Sequence, residues 1–187
     1  MRFNLELSPD KLRHQLNTKL ACKEIKILAG SIDEAKQMKV VLVAPEIPHN
    51  TGAIGRTCVA LDLELILINP LGFDIDDARV ARAGTRYWKY VNLSRYESWL
   101  DFIKSRKPKR KDMFFFEESG QNSFYKADYS TDSYLIFGCE SKGLPHKILE
   151  PMADRTFSLP MRNSRVKSLN LSNAATAAMY QAMRDHW

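Results

Sequence analysis

The chain has 187 residues, 44% hydrophobic and 27% charged, a size and texture suited to one globular domain with a substantial core. Twenty-eight Lys and Arg against 22 Asp and Glu give a net charge of +6, which favours an anionic partner without naming one. Cys22, Cys58 and Cys139 are too scattered for a disulfide framework or a CxxC zinc site, the four histidines form no metal-ligating spacing, and no signal-peptide core or membrane-length apolar run occurs, so a metal-free, soluble, cytoplasmic protein is expected.

Residues 1–38 read as an N-terminal extension in which Ser8 can cap, Pro9 fits a first helical turn, and Leu12, Leu16 and Leu20 recur at four-residue spacing. The main domain is expected over 39–187. VVLVAP from Val40 and LELILINP from Leu63 read as continuous apolar strands on either side of a helix at 51–61, a βαβ pattern that predicts an α/β fold: a parallel sheet with helices on both faces. Asp74 or Asp76 can open a next helix that Gly84 closes, after which 87–93 reads as a strand and 96–103 as a helix. KSRKPKRK, residues 104–111, is either a solvated connection or a phosphate-binding patch. Strands follow at 112–116 and 134–137, and an Ala-rich helix closes the chain at 171–184.

Within the second element, residues 52–61 are small or apolar except Arg56 and Thr57. A helix apolar around its circumference is expected to be buried, and a buried guanidinium needs a carboxylate, carbonyl or phosphate. Arg56 is therefore expected inside the molecule, with a structural partner or a chemical task. Three loops follow strands, where open α/β sheets bind ligands. In 45–51, Asn50 or Thr51 can cap the helix. In IFGCESKGLP, Gly138 and Gly143 flank Glu140 and allow close backbone approach. In LPMRNSRVKSLNLSNA, Ser168, Asn170, Ser172 and Asn173 gather before the last helix, each also able to serve as a simple turn or cap. No GxGxxG, GxxxxGK[ST] or GxSxG is present, which disfavours dinucleotide, P-loop and hydrolase sites. Glycine-rich, short-polar loops suit a ligand held by backbone hydrogen bonds and apolar walls.

Taken together, P-x-x-x-x-N-x-G-x-x-x-R (Pro45 to Arg56), F-G-x-E-x-x-G-L (Phe137 to Leu144) and P-M…S-L-N-L-S-N-A (Pro160 to Ala174) resemble the SPOUT superfamily of RNA methyltransferases. PEIPHNTG, NPLGF, DDARVARAG and LPM are similar to the branch that methylates the ribose of the tRNA wobble pyrimidine, and the likeness spans about 39–184. Lys167 stands where an arginine is common in that branch. The resemblance implies a C-terminal trefoil knot that binds S-adenosylmethionine, a homodimer that completes the site, and the anticodon stem-loop of tRNA as partner. It also implies cofactor contacts at Phe116, Gly138, Leu159 and Ser168, with Gly143, Leu144 and Met161 around them, and a catalytic set of Arg56, Asn50 and Glu140. Glu140 could pair with Arg56 or with a positive group on the cofactor. An arginine stays protonated to pH ~12 or above, so holding the ribose hydroxyl or a phosphate suits Arg56 better than acting as the base. Arg79 and Arg82, with Arg86 beyond, form a basic series that is either solvated or RNA-binding. Tyr180 reads as a core or dimer-interface aromatic. Other tRNA positions, ribosomal RNA, or a non-catalytic RNA-binding protein of the same fold are the alternatives.

Overall fold

Runs of Val, Ile, Leu and Phe bounded by turn residues set the framework, because such runs stand well only where a strand is covered on both sides. The computed structural model describes residues 37–74 and 85–187. The helix expected in the extension and the one expected to close at Gly84, with Arg79 and Arg82, lie outside the described residues. In order, the chain forms β1 (Lys39–Val43), α1 (Pro48–Leu61), β2 (Glu64–Ile68), a 3-10 helix (Thr85–Tyr90), β3 (Asn92–Tyr96), α2 (Trp99–Arg106), β4 (Met113–Phe116), β5 (Asn122–Ser123), β6 (Tyr134–Phe137), α3 (His146–Leu149), β7 (Thr156–Ser158) and α4 (Leu171–Met183).

These strands make one seven-stranded sheet in the order β3-β2-β1-β6-β4-β7-β5, with every pairing parallel. Alternate residues serve opposite faces. Val40, Leu42, Leu65, Leu67, Phe114, Leu135 and Phe137 pack with Ile54 and Cys58 of α1 and with Ala175, Ala178, Met179 and Ala182 of α4. Val41, Val43, Ile66, Ile68, Phe115 and Ile136 pack with Phe102 of α2 and Ile148 of α3. Helices on both faces were expected from the uninterrupted apolar strands, and the structure has them. Met38, the last residue assigned to the extension, is 2% exposed and part of the core.

Small residues let α4 lie close against α1. Thr57 and Thr176 hydroxyls meet at 3.2 Å, and the Cys58 thiol lies 4.0 Å from the Met179 sulfur. The end of α4 reaches the connection between β5 and β6, where the His186 ring nitrogen is 3.3 Å from the Tyr129 carbonyl.

Two element boundaries differ from the sequence pattern for physical reasons. The strand expected at 87–93 is a 3-10 helix followed by β3, because Trp88 turns onto α1 at Gly55; a Cβ there would lie 2.6 Å from the Trp88 ring. The helix expected at 96–103 begins at Trp99, since the Ser98 side chain accepts from Asp101 N and caps it. The basic run at 104–111 covers the last turn of α2 and the connection to β4, and so lies at the amino ends of the strands. Two of its charges are neutralised: Arg106 pairs with Glu64, and Arg110 with Asp154.

Candidate functional site

Strand order reverses beside β1, since β2 and β3 lie on one side of it and all later strands on the other. A crevice forms at the carboxyl ends of strands at such a switch point. Here it is a cavity of about 750 Å³, within the range of small-molecule sites. Its walls come from all three loops: Ile47 and Asn50 after β1, the residues from Gly138 to Gly143 after β6, and those from Ser158 to Met161 and Val166 to Leu171 after β7. Phe116 and Phe137, at the ends of β4 and β6, stack with centroids 4.7 Å apart and line it as well.

The loop after β6 depends on its glycines. Cys139 and Gly143 bond to each other as an antiparallel bridge, at 3.2 and 3.0 Å, closing a tight turn. A Cβ on Gly138 would sit 2.0 Å from the Gly143 carbonyl carbon. Gly143 itself has φ +66°, the left-handed region that glycine enters without strain. The turn sends the Leu144 side chain down into the core beside Ile148, 5% exposed, so Leu144 is not a wall of the cavity as the motif suggested.

One hydrogen-bonded chain joins the three loops. The Glu140 carboxylate accepts from Glu46 N at 2.8 Å, Ile47 N at 3.3 Å and Asn50 Nδ2 at 2.9 Å. Asn50 Oδ1 accepts from Asn170 Nδ2 at 3.0 Å, and Asn170 Oδ1 accepts from Ser172 N at 2.9 Å, capping α4. Asn50 is 4% exposed and makes bonds with both amide atoms. Neither Asn50 nor Thr51 caps α1, contrary to expectation: Ile47 is the N-cap, without a side-chain bond, and Pro48 opens the helix. Glu140 fills that role from 93 residues away, placing negative charge where the helix exposes N–H groups and where its first turn has no acid. In return, Glu46 accepts from Ser141 N at 3.0 Å and Ser141 Oγ at 2.8 Å, so the two loops clamp each other.

Arg56 corrects the sequence reading. It is exposed, does not pair with Glu140 and does not line the cavity. Its guanidinium stands over the Tyr87 ring, 5.1 Å from the centroid. The helix looked apolar all round because Ala53 and Ala60, on its less covered side, are small and do not demand burial, whereas Gly52 and Gly55 are buried. Tyr180 is likewise outside the core, half exposed, with its ring 6.3 Å from that of Trp187.

The family model for the SpoU rRNA methylases matches residues 37–180, nearly all of the described chain. The chain belongs to this family. A relative from Burkholderia cenocepacia, tRNA (cytidine(34)-2'-O)-methyltransferase, is 40% identical over 146 residues, covering 78% of this chain and 93% of its own. A structure solved to study the 2-OH methylation of C/U34 on tRNA superposes with TM-score 0.73 at 39% identity, over 79% of this chain and 95% of that one. The SpoU methyltransferase AviRb from Streptomyces viridochromogenes, in complex with AdoMet, gives TM-score 0.69 at 28% identity, over 82% and 62% of the two chains.

Of the SpoU-family residues singled out from sequence, Phe116, Gly138, Gly143, Leu159, Met161, Ser168, Asn50 and Glu140 all line the one cavity. Sequence reasoning missed Glu46, Ile47 and Glu117. Glu46 and Ile47 sit inside a quoted motif, but only the fold shows that their backbone amides are the partners of Glu140. Glu117 follows Phe116 at the end of a strand, and that position was the available signal. Among the described residues, no group of three or more His, Cys, Asp or Glu is placed to hold a metal ion, and no helix is long and apolar enough to cross a membrane.

Proposed function

We propose that this SpoU-family chain is an S-adenosylmethionine-dependent methyltransferase that modifies the ribose 2′-hydroxyl of the tRNA wobble nucleotide, cytidine or uridine at the first anticodon position. The observation that carries the reading is the hydrogen-bonded chain Glu140–Asn50–Asn170–Ser172, which draws all three motif loops around one cavity. Relatives of about 40% identity that match over nearly their whole length are named for this reaction.

The cavity fits the cofactor. Its volume of about 750 Å³ accommodates a nucleoside-sized ligand, and Phe116, Phe137, Leu159 and Met161 offer apolar surface for a base. It is also acidic inside a basic protein: Glu117, Glu118 and Glu140 line it against Lys142 and Lys167, three negative charges to two positive. S-adenosylmethionine, when bound, supplies a methyl group on a cationic sulfur. Gly138, Gly143, Leu159 and Ser168 would hold it, chiefly through backbone groups that the glycine turn leaves approachable. Glu140 and Asn50 act by fixing the start of α1 relative to that turn.

Arg56 is suited to hold the ribose hydroxyl or the neighbouring phosphate, being exposed, charged and oriented by Tyr87. It lies six residues beyond Asn50, about 9 Å along the helix and on another face, away from its own chain's cavity. A homodimer in which Arg56 of one subunit serves the cavity of the other accounts for both facts. The reading includes a trefoil knot, supported by the return of α4 from β7 near the sheet edge to α1 and by its contact with the 124–129 segment. A tRNA substrate places the work in the cytoplasm.

The test is incubation of the full chain with labelled S-adenosylmethionine and tRNA from cells lacking the enzyme, followed by mapping of the label. Label at the 2′-oxygen of nucleotide 34 is expected. Label at another tRNA position or in ribosomal RNA overturns the substrate.

A further inference from the structure

Five ionisable acids and bases line the cavity, and they are not equivalent. Glu118, Lys142 and Lys167 are exposed and their charges face water. Glu140 is consumed by three N–H donors from the start of α1. Glu117 differs from all of them. It is half-buried at the end of β4, beside the Phe116–Phe137 stack, and one carboxylate oxygen accepts from Leu144 N. The N–H of Glu118 also bonds the carboxylate, and Glu117 lines the cavity. Gly143 makes room for it, since a Cβ there would stand 2.6 and 2.7 Å from the two Glu117 oxygens. Burial, the largest influence on this carboxyl, pushes its pKa up. The protein therefore keeps a partly desolvated acid against a ligand cavity, where a neutral amide that still accepts from Leu144 N would fold at lower cost.

We propose that Glu117 is a specificity-determining residue of the cofactor cavity, reading the positive charge on sulfur and so favouring S-adenosylmethionine over the neutral-sulfur product, S-adenosylhomocysteine. The proposal rests on the cofactor assignment above. Both molecules carry the same adenosine, ammonium and carboxylate, so they differ only at sulfur, by one methyl group and the positive charge that it brings. A carboxylate that meets that charge in a partly desolvated site would be worth about 5- to 10-fold in affinity. Loss of that preference after methyl transfer would ease departure of the product.

Calorimetric titration of the full chain with each molecule tests this, comparing wild type with E117Q and with E150Q as an exposed control outside the cavity. Gln keeps an acceptor for Leu144 N, and a cooperative melting transition without ligand within about 2 °C of wild type shows that the turn is intact. E117Q is expected to weaken S-adenosylmethionine about 5- to 10-fold and S-adenosylhomocysteine less than 2-fold, while E150Q changes neither by more than about 2-fold. Equal losses for both molecules, or no loss for either, overturn the role of Glu117 and leave the cofactor assignment standing. A wild-type protein that binds neither molecule overturns the cofactor assignment and this proposal together.

Discussion

Helix α1 has two ends of opposite character. At its start, Asn50 is buried, bonded through both amide atoms, and anchored to two other loops. Two turns on, Arg56 is exposed and held by a single ring contact with Tyr87. A site that must bind one cofactor in one pose rewards the first arrangement, because preorganised groups lose little freedom on binding. A group that meets a large, mobile RNA can stay in water until the partner arrives. Under the proposed function, the cofactor half of the site would be complete within one chain, and the substrate half would be finished by whatever docks over Arg56.

The sharpest way to break this comparison is R56A. With Arg56 in its proposed role, its loss is expected to lower methylation about 10³-fold, while the Kd for S-adenosylmethionine stays within about 2-fold. A parallel loss of cofactor affinity would show that Arg56 belongs to the fixed end after all. Mixing R56A subunits with subunits defective at Glu140 sharpens the point: recovery of activity in the mixture requires that one subunit's arginine serve the other's cavity.

E140A attacks the fixed end. It leaves Glu46 N, Ile47 N and Asn50 Nδ2 without their acceptor, at a cost of about 1–3 kcal/mol, or a fall in Tm of about 3–9 °C. Cofactor affinity should fall with it, which R56A does not do. E140Q, retaining one carbonyl oxygen, should lie between wild type and E140A in Tm.

The same contrast explains how far the sequence could be read. β6 matches its expected bounds, Tyr134–Phe137, because a short uninterrupted apolar run has one stable use in a covered sheet. The convergence of the three loops followed from their positions after strands and from the motifs they carry. Interactions set by tertiary geometry were not legible. Glu46 is an exposed acid whose importance arises only when Ser141 arrives from 95 residues away. Trp88 looked like a strand aromatic because its partner is a missing side chain, the glycine at position 55. Arg56 looked buried because small residues score as apolar whether or not they are covered.

G55A probes the link between the two ends. A Cβ at Gly55 meets Trp88 at 2.6 Å and Val91 at 3.3 Å, so the 3-10 helix carrying Tyr87 must shift. Overpacking of this kind costs about 1–2 kcal/mol, and displacement of Tyr87 from Arg56 should reduce kcat more than cofactor affinity. Y87F, which keeps the ring, should retain most of the activity that Y87A loses; equal behaviour of the two would remove the cation–π contact from the account.

The smallest effect concerns stability on the cavity side. Burial raises the folded-state pKa of Glu117 above its unfolded value, so the fold prefers the carboxyl protonated. The stability this provides is fully present below the unfolded pKa and is lost as pH rises through the folded one. E117Q, neutral at every pH, escapes that loss. Without ligand, its Tm should exceed that of wild type by about 1–2 °C at pH 7.5, the small size reflecting partial solvent screening, and the two should converge near pH 4. Saturating S-adenosylmethionine should reverse the order at pH 7.5, because a cation beside the carboxylate stabilises the ionised form in wild type alone. A higher wild-type Tm at pH 7.5 without ligand would mean that the carboxylate is satisfied by the protein itself, and the cavity would then have no charged acceptor left to offer.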